Sequence, residues 1–284
     1  MLFVSSSCSK CEKIGDAIRE FADHGFLNIE LSGGTSYYDE IEDDIISLKE
    51  KYNLNYLVHN YFPPSSETHV INLASLDDSV YQRSLSHLTK AVKLSKALGA
   101  DKYGFHAGFF VDIQDAELGN TIKKTKLNDT NQAINRFCEG YDLLAKEEVG
   151  ISLYIENNVY SQANSKIFGQ DNPFMLTTYD DYLELKKHID FKLQLDVAHL
   201  YVSTNTLGIN FEEQLELMFL VSDYIHVSNN NGLSDQNKGF IKGSKLLRYI
   251  SRLNFTGKIV VLEIYNDIQE VKESFNIISD IVNT

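Results

Sequence analysis

Seven side chains able to hold a metal ion or move a proton stand at the ends of apolar runs in this chain: His59, His106, Glu156, Asp196, His199, His226 and Glu263. In LQLDVAHLYVS (193–203) two of them, Asp196 and His199, interrupt one run with a D-x-x-H spacing. Each has an ordinary explanation when taken alone. A single histidine at a strand end is usually hydrogen-bonded into the structure, and a single carboxylate there usually caps the next helix. Seven at matching places on six successive strands call for a common cause. Converging carboxylates do not ionise together unless a cation neutralises them. Imidazoles with carboxylates and no thiolates suit Mn²⁺, Zn²⁺, Co²⁺ or Fe²⁺, with Mg²⁺ as a harder alternative. Such an ion polarises carbonyl and phosphoryl oxygens and acidifies bound water.

Positioning these groups requires elements that bring distant residues to one place. Strand-like and helix-like segments alternate along the chain: LFVSS, then CEKIGDAIREFADHG; LNIELSGG, then YDEIEDDIISLKEKYN; NYLVHNYF, then SVYQRSLSHLTKAVKLSKALGA. KYGFHAGFF precedes LNDTNQAINRFCEGYDLLAKEEVG, with Asn128 or Asp129 as a helix cap, and ISLYIENN precedes a helix near YDDYLELKKH. KLQLDVAHLYVS reads as the sixth strand before NFEEQLELMFLVS; DYIHVSNNNG precedes KGSKLLRYISRLNFTG, and KIVVLEIYN precedes IQEVKESFNIISDIVNT. The eight strands are apolar on both faces, as buried parallel strands are. Eight such units in 284 residues predict a single closed (β/α)₈ barrel over residues 1–284, with helices outside and active groups at the C-terminal strand ends.

Composition narrows the chemistry. The formal charge of −14 argues against a nucleic-acid partner, which a basic surface would grip. No apolar run approaches a bilayer span, and MLFVSSSCSK lacks a basic segment followed by an apolar one, so no membrane partner and a cytoplasmic location are expected. No glycine-rich nucleotide loop follows any strand, so no nucleotide cofactor is expected. Three cysteines are too few for a disulfide framework; Cys8-Ser-Lys-Cys11 reads as two thiols between the first strand and helix, and Cys138 as a buried helix residue. Glu30 follows the second strand and is expected only to line the pocket. His24 and His188 fall near helix ends, His87 on a helix surface and His69 in a loop.

The motifs FHAG, YIENN, LDVAH, YIHVSNNNG and FTGKIVVLE, in this order, resemble the xylose isomerase-like barrel superfamily, which holds sugar isomerases and epimerases alongside endonuclease IV. In the sugar branch the resemblance implies one divalent metal on Glu156, Asp196, His226 and Glu263. The two glutamates would shuttle protons through a metal-stabilised enediolate, and His199 would contact the substrate. His59, His106, Asn158 and Asn230 would bind substrate hydroxyls, with Asn157 and Asn231 nearby. Phe62, Phe109, Phe110, Tyr160 and Tyr201 would wall the pocket. A small carbohydrate is then the partner.

In the endonuclease branch the resemblance implies three zinc ions, with His59, His106, His199 and Asp235 as additional ligands. Asn237 stands where that branch has a histidine, and Asn229 where many relatives carry aspartate. Neutral amides are poor zinc ligands, which disfavours a full three-zinc cluster. A zinc-dependent phosphodiesterase is the alternative reading, and a non-catalytic metal- or sugar-binding relative the second alternative. A phosphorylated substrate could use Gly243-Ser244-Lys245, with Lys238 and Lys242 near, although an ordinary helix start is the simpler reading.

Overall fold

The computed structural model describes residues 1–147, 150–169 and 171–283. Eight strands, β1 (Leu2–Ser5), β2 (Asn28–Leu31), β3 (Asn55–His59), β4 (Lys102–His106), β5 (Ser152–Glu156), β6 (Lys192–Asp196), β7 (Ser222–Val227) and β8 (Ile259–Leu262), pair in parallel and in chain order. β8 returns to β1 with Leu2 opposite Val260 and Val4 opposite Leu262, so the barrel is closed. The helices are α1 (Ile14–Asp23), α2 (Ile41–Tyr52), α3 (Asp78–Ala97), α4 (Thr130–Glu147), α5 (Gln162–Phe168), α6 (Tyr179–Lys186), α7 (Val197–Leu207), α8 (Phe211–Leu220), α9 (Lys245–Ile250) and α10 (Ile268–Val282). Among the described residues no helix is long and apolar enough to cross a membrane.

The two-residue period of each strand explains where its side chains go. One set, such as Val4, Ile29, Val58, Phe105, Ile155, Leu195 and Leu262, faces the helices and joins the main core. The other set faces the barrel axis. There Phe3, Leu57, Tyr154, Tyr224 and Val261 form a separate apolar plug. Above the plug, at the C-terminal strand ends, the inward positions turn polar. His106 pairs in register with Glu156, Glu156 with Gln194, and Asp196 with His226. Gly104 is required by this crowding: a Cβ there would meet Gln194 Oε1 at 1.8 Å and the His59 ring at 3.1 Å.

Two segments depart from expectation. VAHLYVS does not extend the sixth strand but forms the start of α7, with Asp196 as its cap. The segment is apolar on every side because it is buried on every side, and such a helix carries no amphipathic period to betray it. α5 is likewise additional, capped by Ser161. Asp129 caps α4, accepting from the Gln132 amide at 2.9 Å.

Candidate active site and metal centre

Four strand ends supply the centre. His226 on β7 places Nδ1 3.2 Å from Glu156 Oε1 and 3.1 Å from Glu263 Oε2. The two glutamates reach it from β5 and from just beyond β8, on different sides of the barrel. Asp196 joins at the end of β6: three-residue groups with ligand atoms within 4.8 Å of one another are His59–Glu156–His226, Glu156–Asp196–His199 and Asp196–His226–Glu263. No group of this kind among the described residues contains both glutamates. All seven strand-end residues of the sequence reading therefore meet in one place, as does Asp235 through His199, 3.3 Å away.

The electrostatics are those of a crowded, dry site. Burial alone would drive the Glu156 carboxyl up, but His106, His59 and His226 around it hold it well below the usual range. Glu263 is held down to about 2, burial again opposing and His226 prevailing. Burial pushes Asp196 up to about 7; His199 opposes, while the Glu156 and Asp235 carboxylates add to the rise. His226 is raised well above the ordinary imidazole value, Glu30 and Glu156 overcoming the effect of burial. His59 is raised in the same way by Glu156 and Glu30. His106 goes the other way, to about 4, because desolvation exceeds the pull of Glu156.

This donor set fits a divalent cation. Asp196 Oδ2 is buried without a hydrogen-bond partner, and an unpaired buried carboxylate oxygen is costly. His226 turns Nε2 towards Glu30 Oε2 at 3.1 Å and leaves Nδ1 towards the oxygens of Glu156 and Glu263. A metal-bound imidazole is commonly held this way, its far N–H on a carboxylate. His59 and His106 approach Glu156 Oε2 at 2.9 and 3.2 Å.

Several residues have other tasks than the sequence suggested. Glu30 was expected only to line the pocket; it is fully buried, bonds His226 and accepts the Tyr224 hydroxyl. Gln194, which no sequence pattern singled out, lies 2.7 Å from His226 Nε2. Asn157 exchanges hydrogen bonds with the Asp196 backbone and its carbonyl lies 2.9 Å from His199 Nδ1. Asn158 borders the cavity, yet its amide donates to the carbonyls of Ala107, Gly108 and Met175. Asn230 donates to the Ala198 carbonyl and accepts from Gly232, and Asn231 accepts from Leu233. Asn229 pairs its backbone with Lys238 and donates its amide to the Gly239 carbonyl. Asn237 accepts from Ser228 and donates to Asp235 at 3.2 Å, holding that carboxylate beside His199.

Among the expected wall aromatics, Phe109 borders the cavity, whereas Phe62, Phe110, Tyr160 and Tyr201 do not. His87 is buried against the His69 ring, not on a helix surface, because α3 turns it inward under the loop after β3. Cys8 is buried and bonds the β8 end through the Ile264 amide, while Cys11 approaches Glu20. Cys138 is half-buried, at the edge of the main core. The helix at Ser244 spans six residues and the Ser244 side chain makes no cap bond.

Over the centre lies a cavity of about 1060 Å³, with His59, His106, His199 and Glu263 among the residues that border it. Its scale is that of a small-molecule site. The family described as xylose isomerase-like TIM barrel matches residues 18–281. A solved D-tagatose 3-epimerase-like protein is similar, with 17% identity, coverage of 99% of this chain and 96% of that one, and a TM-score of 0.74. Endonuclease IV from Thermus thermophilus is also similar, with 12% identity, 99% and 98% coverage and a TM-score of 0.62. At these identities the likeness is one of fold. A curated relative from Sulfurihydrogenibium sp. (strain YO3AOP1), "Probable endonuclease 4", is 25% identical over 167 residues, or 58% of this chain. The chain spans about half the length of that relative, 50%.

Proposed function

The chain belongs to the xylose isomerase-like TIM barrel family, and we propose that within it the protein is a divalent-metal-dependent isomerase or epimerase of a small sugar. The observation that carries this reading is the pair of glutamates, Glu156 and Glu263, flanking one imidazole atom beneath a cavity of small-molecule size. Glu156, Asp196, His226 and Glu263 would hold the cation. When bound, it would supply Lewis-acid polarisation of a carbonyl and its neighbouring hydroxyl.

The residues themselves do the remaining work. Glu156 and Glu263 are held ionised, so each can accept a proton from carbon; at low proton affinity each does so only where the adjacent carbonyl is polarised. Their approach from different sides of the barrel favours removal of the proton on one face and its return on the other, which is epimerisation. Return by the same base to the neighbouring carbon is isomerisation. His199 borders the cavity with Nδ1 fixed by the Asn157 carbonyl, so its Nε2, beside Asp235, is the nitrogen that would meet a substrate oxygen.

The test is isotopic. Mn²⁺-loaded protein is incubated in D₂O with a panel of ketopentoses and ketohexoses, and deuterium next to the carbonyl is read by NMR. Incorporation supports the reading; a panel without any incorporation overturns it. The second reading, a zinc-dependent phosphodiesterase, is favoured by His59 and His106 flanking Glu156 Oε2. It requires Zn²⁺-loaded protein to incise a duplex carrying an abasic site, and intact duplex after prolonged incubation excludes it.

A further inference from the structure

The cavity above the centre has a second polar region, away from the glutamates, and its chemistry bears on the substrate. His69, after β3, and His87, on α3, both border the cavity with their rings 5.2 Å apart. In each ring Nε2 is buried and has no hydrogen-bond partner. A buried polar atom without a partner is costly, and two side by side at one wall mark a place where a ligand supplies the partner. Burial, with His69 next to it, lowers His87 to about 4, so this ring is neutral at pH 7. The unpaired nitrogen of a neutral imidazole offers a single donor or acceptor, which suits a hydroxyl.

The same cavity offers nothing to balance an anion. All 26 lysines and arginines of the chain lie among the described residues, and none borders it. Carboxylates do border it: Asp115, Glu117, Asp235 and Glu263. Four of the helix N-termini, the usual phosphate cradles of barrels, are closed by carboxylates of the chain itself. Asp77, Asp129, Asp196 and Asp267 accept the first free amides of α3, α4, α7 and α10. Lys245 lies over the Tyr201 ring, 5.3 Å from its centroid. His59 and His199 face Glu156 and Asp235.

We propose that the substrate is an uncharged polyhydroxy carbonyl compound, bearing neither phosphate nor carboxylate, whose hydroxyls remote from the reacting carbon are bound by His69 and His87. This rests on the proton-transfer reading above and goes further, because that reading leaves a sugar phosphate open. The wall rejects an anion by charge and by the lack of a cationic partner, and it binds hydroxyls through the two unpaired nitrogens.

The test compares free ketoses with their phosphate esters, for instance D-fructose with D-fructose 6-phosphate and D-ribulose with D-ribulose 5-phosphate, by deuterium exchange in Mn²⁺-loaded protein. The expected result is exchange into a free ketose with kcat/KM at least tenfold above that of its ester. An ester that exchanges as fast as its parent, or faster, overturns the inference and leaves the proton-transfer reading standing. Absence of exchange from both sets overturns that reading and the inference with it. Two variants check the wall itself. Ser65→Arg, which adds a cation at the exposed rim, is expected to raise the ester-to-parent ratio at least fivefold; an unchanged ratio speaks against exclusion by charge. His69→Ala is expected to raise KM for the free ketose at least fivefold with kcat within twofold. An unchanged KM overturns the hydroxyl assignment.

Discussion

The Glu30 carboxylate and the His226 imidazole meet inside the barrel, Oε2 3.1 Å from Nε2, from strands β2 and β7. Neither is exposed to solvent. Glu30 also accepts the hydroxyl of Tyr224, which lies two residues before His226 and belongs to the apolar plug. The Gln194 amide is 2.7 Å from the same Nε2, and turned end for end it presents Oε1, otherwise without a partner, to that N–H. The chain thus fixes which nitrogen of His226 points to the cation site: Nε2 is engaged below, Nδ1 is presented above.

Replacing Glu30 should therefore weaken metal binding without touching the ligands. Partners of this kind are worth about 10- to 100-fold in affinity. Glu30→Ala is expected to show that loss for Mn²⁺ or Zn²⁺ in titration calorimetry, with a smaller loss for Tyr224→Phe, and an unchanged far-UV spectrum in both. Wild-type affinity in Glu30→Ala would show that Glu30 only fills space.

Removing either glutamate of the centre should stop proton transfer. Glu156→Gln and Glu263→Gln keep the shape of the side chain and remove the base, which typically costs about 100- to 10,000-fold in rate. Deuterium exchange should fall by that much in each, while thermal unfolding remains cooperative. A variant that keeps exchange within tenfold of wild type has lost no proton carrier, and the proposed roles fail with it.

The acid limb of stability should report His87. Its folded value of about 4 lies below the ordinary 6.5, so the unfolded chain takes up a proton first as pH falls. Stability from this residue is complete above pH 6.5 and declines between 6.5 and about 4, by about 2 kcal/mol at pH 5. Other buried groups titrate in the same range; burial raises Asp196 to about 7, which acts in the opposite direction. The informative quantity is therefore a difference. Urea unfolding of wild type and His87→Leu at pH 7.5 and pH 5.0 should show wild type losing about 2 kcal/mol more than the variant. Parallel loss in the two would place His87 in contact with solvent.

The sequence revealed the barrel and its polar rim because both depend on local order. Apolar runs ending in His59, His106, Glu156, Asp196, His226 and Glu263 recur with helices between them, and closure of the sheet brings those ends together. Residues below the rim were not visible in this way. Glu30 stands alone in LNIELSGG, and Gln194 sits inside an apolar strand; their meaning comes from His226, which lies 196 and 32 positions away. The asparagines show the same dependence on tertiary structure. Asn158 and Asn230 have the right chemistry for hydroxyls, but tertiary structure supplied backbone carbonyls first. His87 looked like a surface residue because the loop that buries it carries no helical or strand period.

The place where the endonuclease resemblance implies a third zinc gives the last prediction. His199 and Asp235 stand 3.3 Å apart, and Asn237 turns its amide onto Asp235 from a backbone with φ of +43°. Asparagine and histidine are both enriched in that region relative to most residues, so the exchange is tolerable for the backbone. An imidazole at 237 would replace a neutral amide beside an imidazole and a carboxylate, both ordinary zinc ligand types, and zinc accepts imidazole where it does not accept an amide. Asn237→His is therefore expected to retain one more Zn²⁺ per chain than wild type after dialysis, measured by plasma mass spectrometry. Crystals soaked in Zn²⁺ should show that ion on His199, Asp235 and the new imidazole. If wild type already holds a zinc ion at this position, the amide is no obstacle, and the preference for sugar chemistry over phosphodiester cleavage loses one of its supports.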